Sequence, residues 1–303
     1  MTDHTMTVRL GRTSVDILES VYQHRLLSTR QLHALHAPVN SRRWLHRQIV
    51  RLRDAGLVEC VFLPGRLALW YITEPGADAI ETIGNRAETR RKLIRPEQAA
   101  GPLQQHTLAV NQVGVEFVKA ARERGDECGP LAWRNEIAHP LGPPPGRKAP
   151  EQLISDAVLT YQRNQPSGRV SFLYRFIELD RATMPVNTLA AKLARYARLY
   201  RHTLPGSNAL DEPAPLWTQF YPIFPSVLLV LAGASRPRLE RRRDALLVLC
   251  AHNPDLTGTP EVEIACCLLD DLTEQGPFAA IFRAPGSPRT ATDWLNQDGA
   301  PMA

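Results

Sequence analysis

Carboxylates placed on strongly apolar strands constrain this chain more than any other feature. From Ser155 to Tyr196 it reads SDAVLTY, a short polar break, SFLYRFIELDRAT, and then a helical run containing Lys192 and Tyr196. Asp156 falls inside the first apolar strand, and Glu178 and Asp180 close the second. An ionised carboxylate on such a strand is costly unless a cation, a metal or a hydrogen-bond network meets it. By strand alternation Phe172, Tyr174, Phe176, Glu178 and Asp180 share one face, as do Asp156, Val158 and Thr160. Residues two apart on a strand have Cα atoms roughly 6–7 Å apart, near enough to share one metal or flank one phosphate. In the following helix Lys192, Tyr196 and Leu199 recur at helical spacing, which turns Lys192 toward the sheet.

These are the residue types of a metal-dependent nuclease core. Asp156, Glu178 and Asp180 are the expected Mg²⁺ ligands, with Mn²⁺ as a substitute, and with Lys192 they are the candidate catalytic residues. The usual nuclease pattern ends Glu-x-Lys, and Asp180 stands where that lysine would be. Three outcomes stay open. Lys192 supplies the charge from the helix, Asp180 becomes a third ligand, or the chemistry is lost and the fold only binds DNA. The plainer reading of Glu178 and Asp180 is a structural ion pair with Arg175, Arg181 or Arg195. Glu136 reads as a solvated strand end, with an additional acidic ligand at the cleft edge as the other reading; His106, on an apolar helix face, reads as a core histidine, and Tyr196 has no assigned part in the site.

The N-terminal region has a different character. From Arg9 to Arg53 the basic residues far outnumber the acids Asp16 and Glu19. Helices are expected over residues 14–24, 29–35 and 41–55, the second opened by the capping box Ser28-Thr-Arg-Gln31 and the third closed by Gly56. VECVFLP, the turn Gly65-Arg66 and LALWYIT read as a hairpin. Three helices and a two-stranded wing are the order of a winged helix-turn-helix. In the third helix Leu45, Ile49 and Leu52 share one side, Arg43, Arg47 and Arg51 the opposite one, with Arg42 and Arg53 on the flanks. A helix that packs on its own domain and lays guanidinium groups into a major groove is built this way. Arg42, Arg43, Arg47, Arg51 and the wing-tip Arg66 are the candidate DNA contacts, and double-stranded DNA is the expected partner.

The chain's 303 residues allow two domains with real cores, and the formal net charge of +5 suits a polyanionic partner. The division expected is a winged-helix domain over 1–84, a charged linker over 85–102, an α/β domain over 103–283 and a mobile tail over 284–303. After the linker the expected order is α-β-β-β-α-β-α-β with a mixed central sheet, the succession of a restriction-endonuclease-like core. The fold class is therefore α+β. The longest apolar stretch, Val227 to Ala234, is too short to span a bilayer, and no signal-peptide run opens the chain. The odd set of Cys60, Cys128, Cys250, Cys266 and Cys267 shows no CxxC spacing and reads as reduced thiols in a cytoplasmic protein. A homodimer is considered because winged-helix proteins often dimerise, but no coiled-coil seam marks one.

Three blocks carry a family resemblance: His106-Thr-Leu-Ala-Val-Asn111, then Trp133 and Glu136 with Asp156, then Phe176-Ile-Glu-Leu-Asp-Arg-Ala-Thr183 leading to Lys192 and Tyr196. With the winged-helix front, these resemble the replication-relaxation family over roughly residues 10–250. The resemblance implies a role in plasmid replication and relaxation of plasmid DNA, with a core similar to PD-(D/E)xK nucleases. The family usually shows Pro-Asp at the first acid, where this chain has Ser155-Asp156, and commonly glycine where it has Ala182. Two functions follow: a plasmid-associated DNA-binding protein with Mg²⁺-dependent nicking or cleavage, or a non-enzymatic regulator whose C-terminal domain dimerises or senses a ligand.

Overall fold

The computed structural model describes residues 10–65, 67–84, 93–99, 101, 103–141, 151–203 and 214–295. It is a mixed α+β protein in two compact units, residues 1–115 with 129–131, and residues 116–128 with 132–303.

The first unit holds α1 (Arg12–His24), β1 (Leu27–Ser28), α2 (Thr29–His36), α3 (Arg42–Asp54), β2 (Val58–Leu63), β3 (Leu67–Ile72), α4 (Glu74–Gly84), α5 (Pro96–Ala99) and the first half of α6 (Leu103–Arg124). Its strands form an antiparallel sheet in the order β1-β3-β2. The capping box is present at α2: Ser28 Oγ accepts from the Gln31 amide at 3.2 Å, and Gln31 Oε1 accepts from the Ser28 amide at 3.0 Å. α3 ends in a Schellman turn, with Gly56 at φ +71, its amide donating to the Arg53 carbonyl and the Leu57 amide to that of Leu52. Leu45, Ile49 and Leu52 are fully buried, so the apolar side of α3 faces its own domain as its spacing requires.

The first unit runs past both expected boundaries. Residues 96–99 lie in the segment read as linker, yet they form α5, and Ala99 packs with Leu26, Leu69 and Tyr71. The early part of α6 is tied in by polar bonds that spacing does not announce. Asn111 Nδ2 donates to the His24 and Leu26 carbonyls at 3.2 and 2.8 Å, bracing a turn in which Arg25 has φ 67. Gln31 Nε2 donates to the Leu108 carbonyl at 2.8 Å.

The second unit holds the rest of α6, β4 (Trp133–Leu141), β5 (Glu151–Asn164), β6 (Val170–Asp180), α7 (Val186–Arg201), β7 (Ser226–Leu231), α8 (Arg236–Ala251), α9 (Pro254–Thr257), β8 (Ile264–Leu268), α10 (Leu269–Gln275), β9 (Phe282–Ala284) and β10 (Ser287–Thr292). The seven strands lie in the order β10-β9-β8-β7-β6-β5-β4. β4, β5 and β6 form an antiparallel meander, and β6, β7 and β8 run parallel with α7 and α8 in the crossovers. One core joins Val158, Phe176 and Leu229 of the sheet to Leu193, Tyr196 and Leu246 of those helices. Another places Phe117 of α6 edge-on to Tyr161 and Trp294. Of the tail expected to be mobile, residues 296–303 lie outside the described residues, while residues 284–295 carry structure. β9 and β10 pair there, and Trp294 is 1% exposed, so burial of one indole orders a segment whose Pro, Gly and Thr content reads as loose.

Candidate functional site

The described residues supply two polar constellations, one in each unit. In the first unit Arg42, Arg43, Arg47 and Arg51 are exposed along α3 and none is paired with an acid among the described residues, whereas Arg53 meets Asp54 at 3.4 Å. Arg66 lies outside the described residues. His24 is buried, its Nε2 donating to the Pro130 carbonyl at 2.7 Å, and burial lowers its pKa to about 3. That histidine is a structural donor, and among the described residues no group of three or more His, Cys, Asp or Glu is placed to hold a metal ion.

In the second unit three acids lie at the row where β4, β5 and β6 meet. The β4–β5 ladder pairs Asn135 with Ala157 and Ile137 with Ser155, stepping over Glu136 (φ 52) and Asp156. The β5–β6 ladder ends at the pair Ala157–Ile177, one step short of setting Asp156 opposite Glu178. Asp156 makes good the missing backbone bond by accepting from the Leu179 amide at 2.7 Å. Glu136 is exposed at its end of the row.

Glu178 is 1% exposed and both its oxygens are engaged. Lys192 Nζ bonds Oε2, and the Tyr196 hydroxyl donates to Oε1 at 2.5 Å. The same ammonium stands 3.6 Å from Asp156 Oδ1. α7 therefore delivers Lys192 and Tyr196 one turn apart onto one carboxylate, as their spacing indicates. Tyr196, left unassigned by sequence, is part of the cluster.

Burial, then the charge of Asp156, pushes the Glu178 pKa up to about 8 against the pull of Lys192 and Tyr196. Burial would lower Lys192, but the two carboxylates outweigh it and hold its pKa above the ordinary value. Burial and Glu178 keep the Tyr196 phenol protonated as a donor. In the folded chain Glu178 holds its proton to higher pH than in the unfolded chain. Its contribution to stability is thus full below its ordinary value and is lost as pH rises through about 8. The Lys192 contribution is lost only as pH rises above the ordinary lysine value. Between about pH 5 and 8, Glu178→Gln should lose less stability on raising pH than the wild type does, as read by denaturant unfolding at each pH. Parallel curves for the two proteins would refute the assignment.

Asp180 has a different partner from any weighed in the sequence. Arg242 of α8 grips it with Nε on Oδ2 and a terminal nitrogen 3.1 Å from Oδ1, and donates to the Met184 carbonyl at 2.7 Å. Of the arginines expected to pair with it, Arg175 lies over the Trp294 ring at 4.9 Å and Arg195 pairs with Glu151 at 2.8 Å. Just beyond Asp180, Ala182 has φ 56, the left-handed region that glycine occupies without strain.

A divalent cation needs several anionic oxygens with lone pairs to offer. Asp180 spends both oxygens on Arg242, Glu178 spends both on Lys192 and Tyr196, and Asp156 already bonds the Leu179 amide and faces Lys192. The three-carboxylate magnesium site expected from sequence does not fit this arrangement. Arg242 was missed because its partner is 62 residues away and nothing within the arginine run of α8 singles it out.

The sequence profile of the replication-relaxation family matches residues 18–208. The chain belongs to that family. The matched span runs from α1 through α7, so it includes the arginine helix and all but Arg242 of the acid cluster. Within the matched span Asn111 braces the α1–β1 turn, and Lys192 and Tyr196 are both bonded to Glu178. No match was found among curated proteins. Two solved structures, both mutants of Lactococcus lactis ZitR, share short stretches. One is 16% identical over 29% of this chain and 60% of that chain, with TM-score 0.23. The other is 14% identical over 41% of this chain and 73% of that chain, with the same TM-score of 0.23, a value too low to bear on fold. Among the described residues no helix is long and apolar enough to cross a membrane.

Proposed function

We propose that this replication-relaxation protein binds double-stranded DNA in plasmid replication, docking through α3 of a winged-helix domain. The observation that carries the reading is the exposed row of Arg42, Arg43, Arg47 and Arg51, none paired with an acid among the described residues, on a helix whose Leu45, Ile49 and Leu52 are fully buried. Guanidinium groups on such a helix meet phosphates and base edges of the major groove. Anisotropy of a labelled duplex tests it: binding should weaken steeply as salt rises, and absence of salt-dependent binding sinks the reading.

Nicking or cleavage is the second reading. It is favoured by the succession α6, β4, β5, β6, α7, β7, which is that of a restriction-endonuclease-like core, and by the convergence of Asp156 and Glu178 on Lys192. Against it stands the full engagement of the acids by the chain's own donors. The first reading expects supercoiled plasmid to stay intact with Mg²⁺ or Mn²⁺. Nicking by the wild type that vanishes in Asp156→Ala would establish the second.

A further inference from the structure

Among the described residues of the first unit two large apolar side chains are exposed: Val39 at 93% and Phe62 at 67%. Both adjoin α3. Val39 precedes the helix by three residues, in a loop held where His33 Nε2 donates to the Asn40 carbonyl at 2.8 Å. Phe62 pairs across β2–β3 with Ala68, and by alternation it shares a sheet face with Cys60 and its partner Trp70. That face is the one α3 packs on: Trp70 meets His46 edge-on with ring centroids 6.4 Å apart, and the Arg53 guanidinium lies on the Cys60 thiol. The opposite face has its own cover, since Val61, Leu63, Leu67 and Leu69 pack with Leu26 and Ala99. A single exposed ring is ordinary on a protein surface; what singles out Phe62 is that it is exposed on the sheet face that α3 packs on.

We propose that Phe62 is an apolar DNA contact, its ring packing against bases or inserted at a base step beside the groove that α3 occupies. The inference rests on the DNA reading above. The arginines decide the kind of partner. A protein surface covering Phe62 would have to bring its own acids to exposed guanidinium groups that meet none among the described residues, whereas every duplex offers phosphates to the arginines and base surface to the ring.

Anisotropy with one labelled duplex, from about 50 to 200 mM salt, compares the wild type with Phe62→Ala and Phe62→Tyr. Phe62→Ala should bind about tenfold more weakly at every salt concentration, with the wild-type dependence on salt, because the ring neutralises no phosphate. Phe62→Tyr keeps the ring and should bind as the wild type does, which separates a lost contact from a lost fold. Affinity of Phe62→Ala within about twofold of the wild type overturns the proposal. So does a loss that flattens the salt dependence. A changed sedimentation coefficient of the free protein with unchanged DNA affinity also overturns it, and gives Phe62 to a second copy of the chain. If the wild type shows no salt-dependent binding, the α3 reading itself has failed, a result distinct from all of these.

Discussion

Arg242→Ala is expected to cost about 3–5 kcal/mol of stability, the penalty for stranding a buried charge by removing its partner. The Asp180 side chain is 1% exposed and that of Arg242 is 10% exposed, so water replaces little of what is lost. The guanidinium also holds the Met184 carbonyl, so the substitution loosens the β6–α7 connection along with the end of β6. A companion variant isolates the charge. Asp180→Leu combined with Arg242→Met removes both partners and should recover most of the loss, because a buried ion pair contributes little net stability over well-packed apolar groups. Denaturant unfolding of the three proteins provides the comparison. A loss below about 1 kcal/mol for Arg242→Ala would mean that Asp180 has another partner or has access to water.

Lys192→Met should cost about 2–4 kcal/mol near neutral pH, somewhat less than the loss at Asp180, although Glu178 is just as buried. The reason is the proton. Even with the ammonium in place the Glu178 pKa is pushed up to about 8, so near neutral pH the carboxyl is mostly neutral already and removing Lys192 leaves no bare charge behind. The cost should therefore grow as pH rises and the proton becomes harder to hold. Lys192→Met with Glu178→Gln should be less destabilised than Lys192→Met alone, and its deficit should vary less with pH. Equal losses at acidic and alkaline pH would show that Lys192 acts by packing its stem instead of by charge.

How far the sequence reveals this molecule depends on the range of the interactions involved. α3 and α7 are legible because their buried residues recur at the helical period, and the lysine and tyrosine of α7 meet Glu178 as spacing and strand alternation require. The inward side of the acids is legible for the same reason. Their partners are less so. Asp180 was weighed as a ligand, yet a guanidinium from a helix beyond the next strand takes both its oxygens, and no local period connects residues that far apart. β9 and β10 are too short and too poor in apolar residues to announce themselves, and they are ordered where Trp294 packs against Phe117 and Tyr161. α5 spans four residues, below the length at which amphipathic spacing can be read, and a single buried alanine anchors it. The gap in the ladders at Glu136 and Asp156 is likewise invisible in sequence, because it arises from one left-handed residue on an otherwise ordinary strand.

The account stands or falls on α3 as the surface that meets DNA, and the salt dependence of binding measures this most directly. Wild type and the variant with Arg43, Arg47 and Arg51 all changed to alanine are titrated into one duplex across a range of salt. If these guanidinium groups lie on phosphates, the variant should lose about two to three from the slope of log affinity against log salt, and about a hundredfold or more in affinity at low salt. A variant that binds with the wild-type slope and affinity would contradict the account and place the DNA contact elsewhere on the chain.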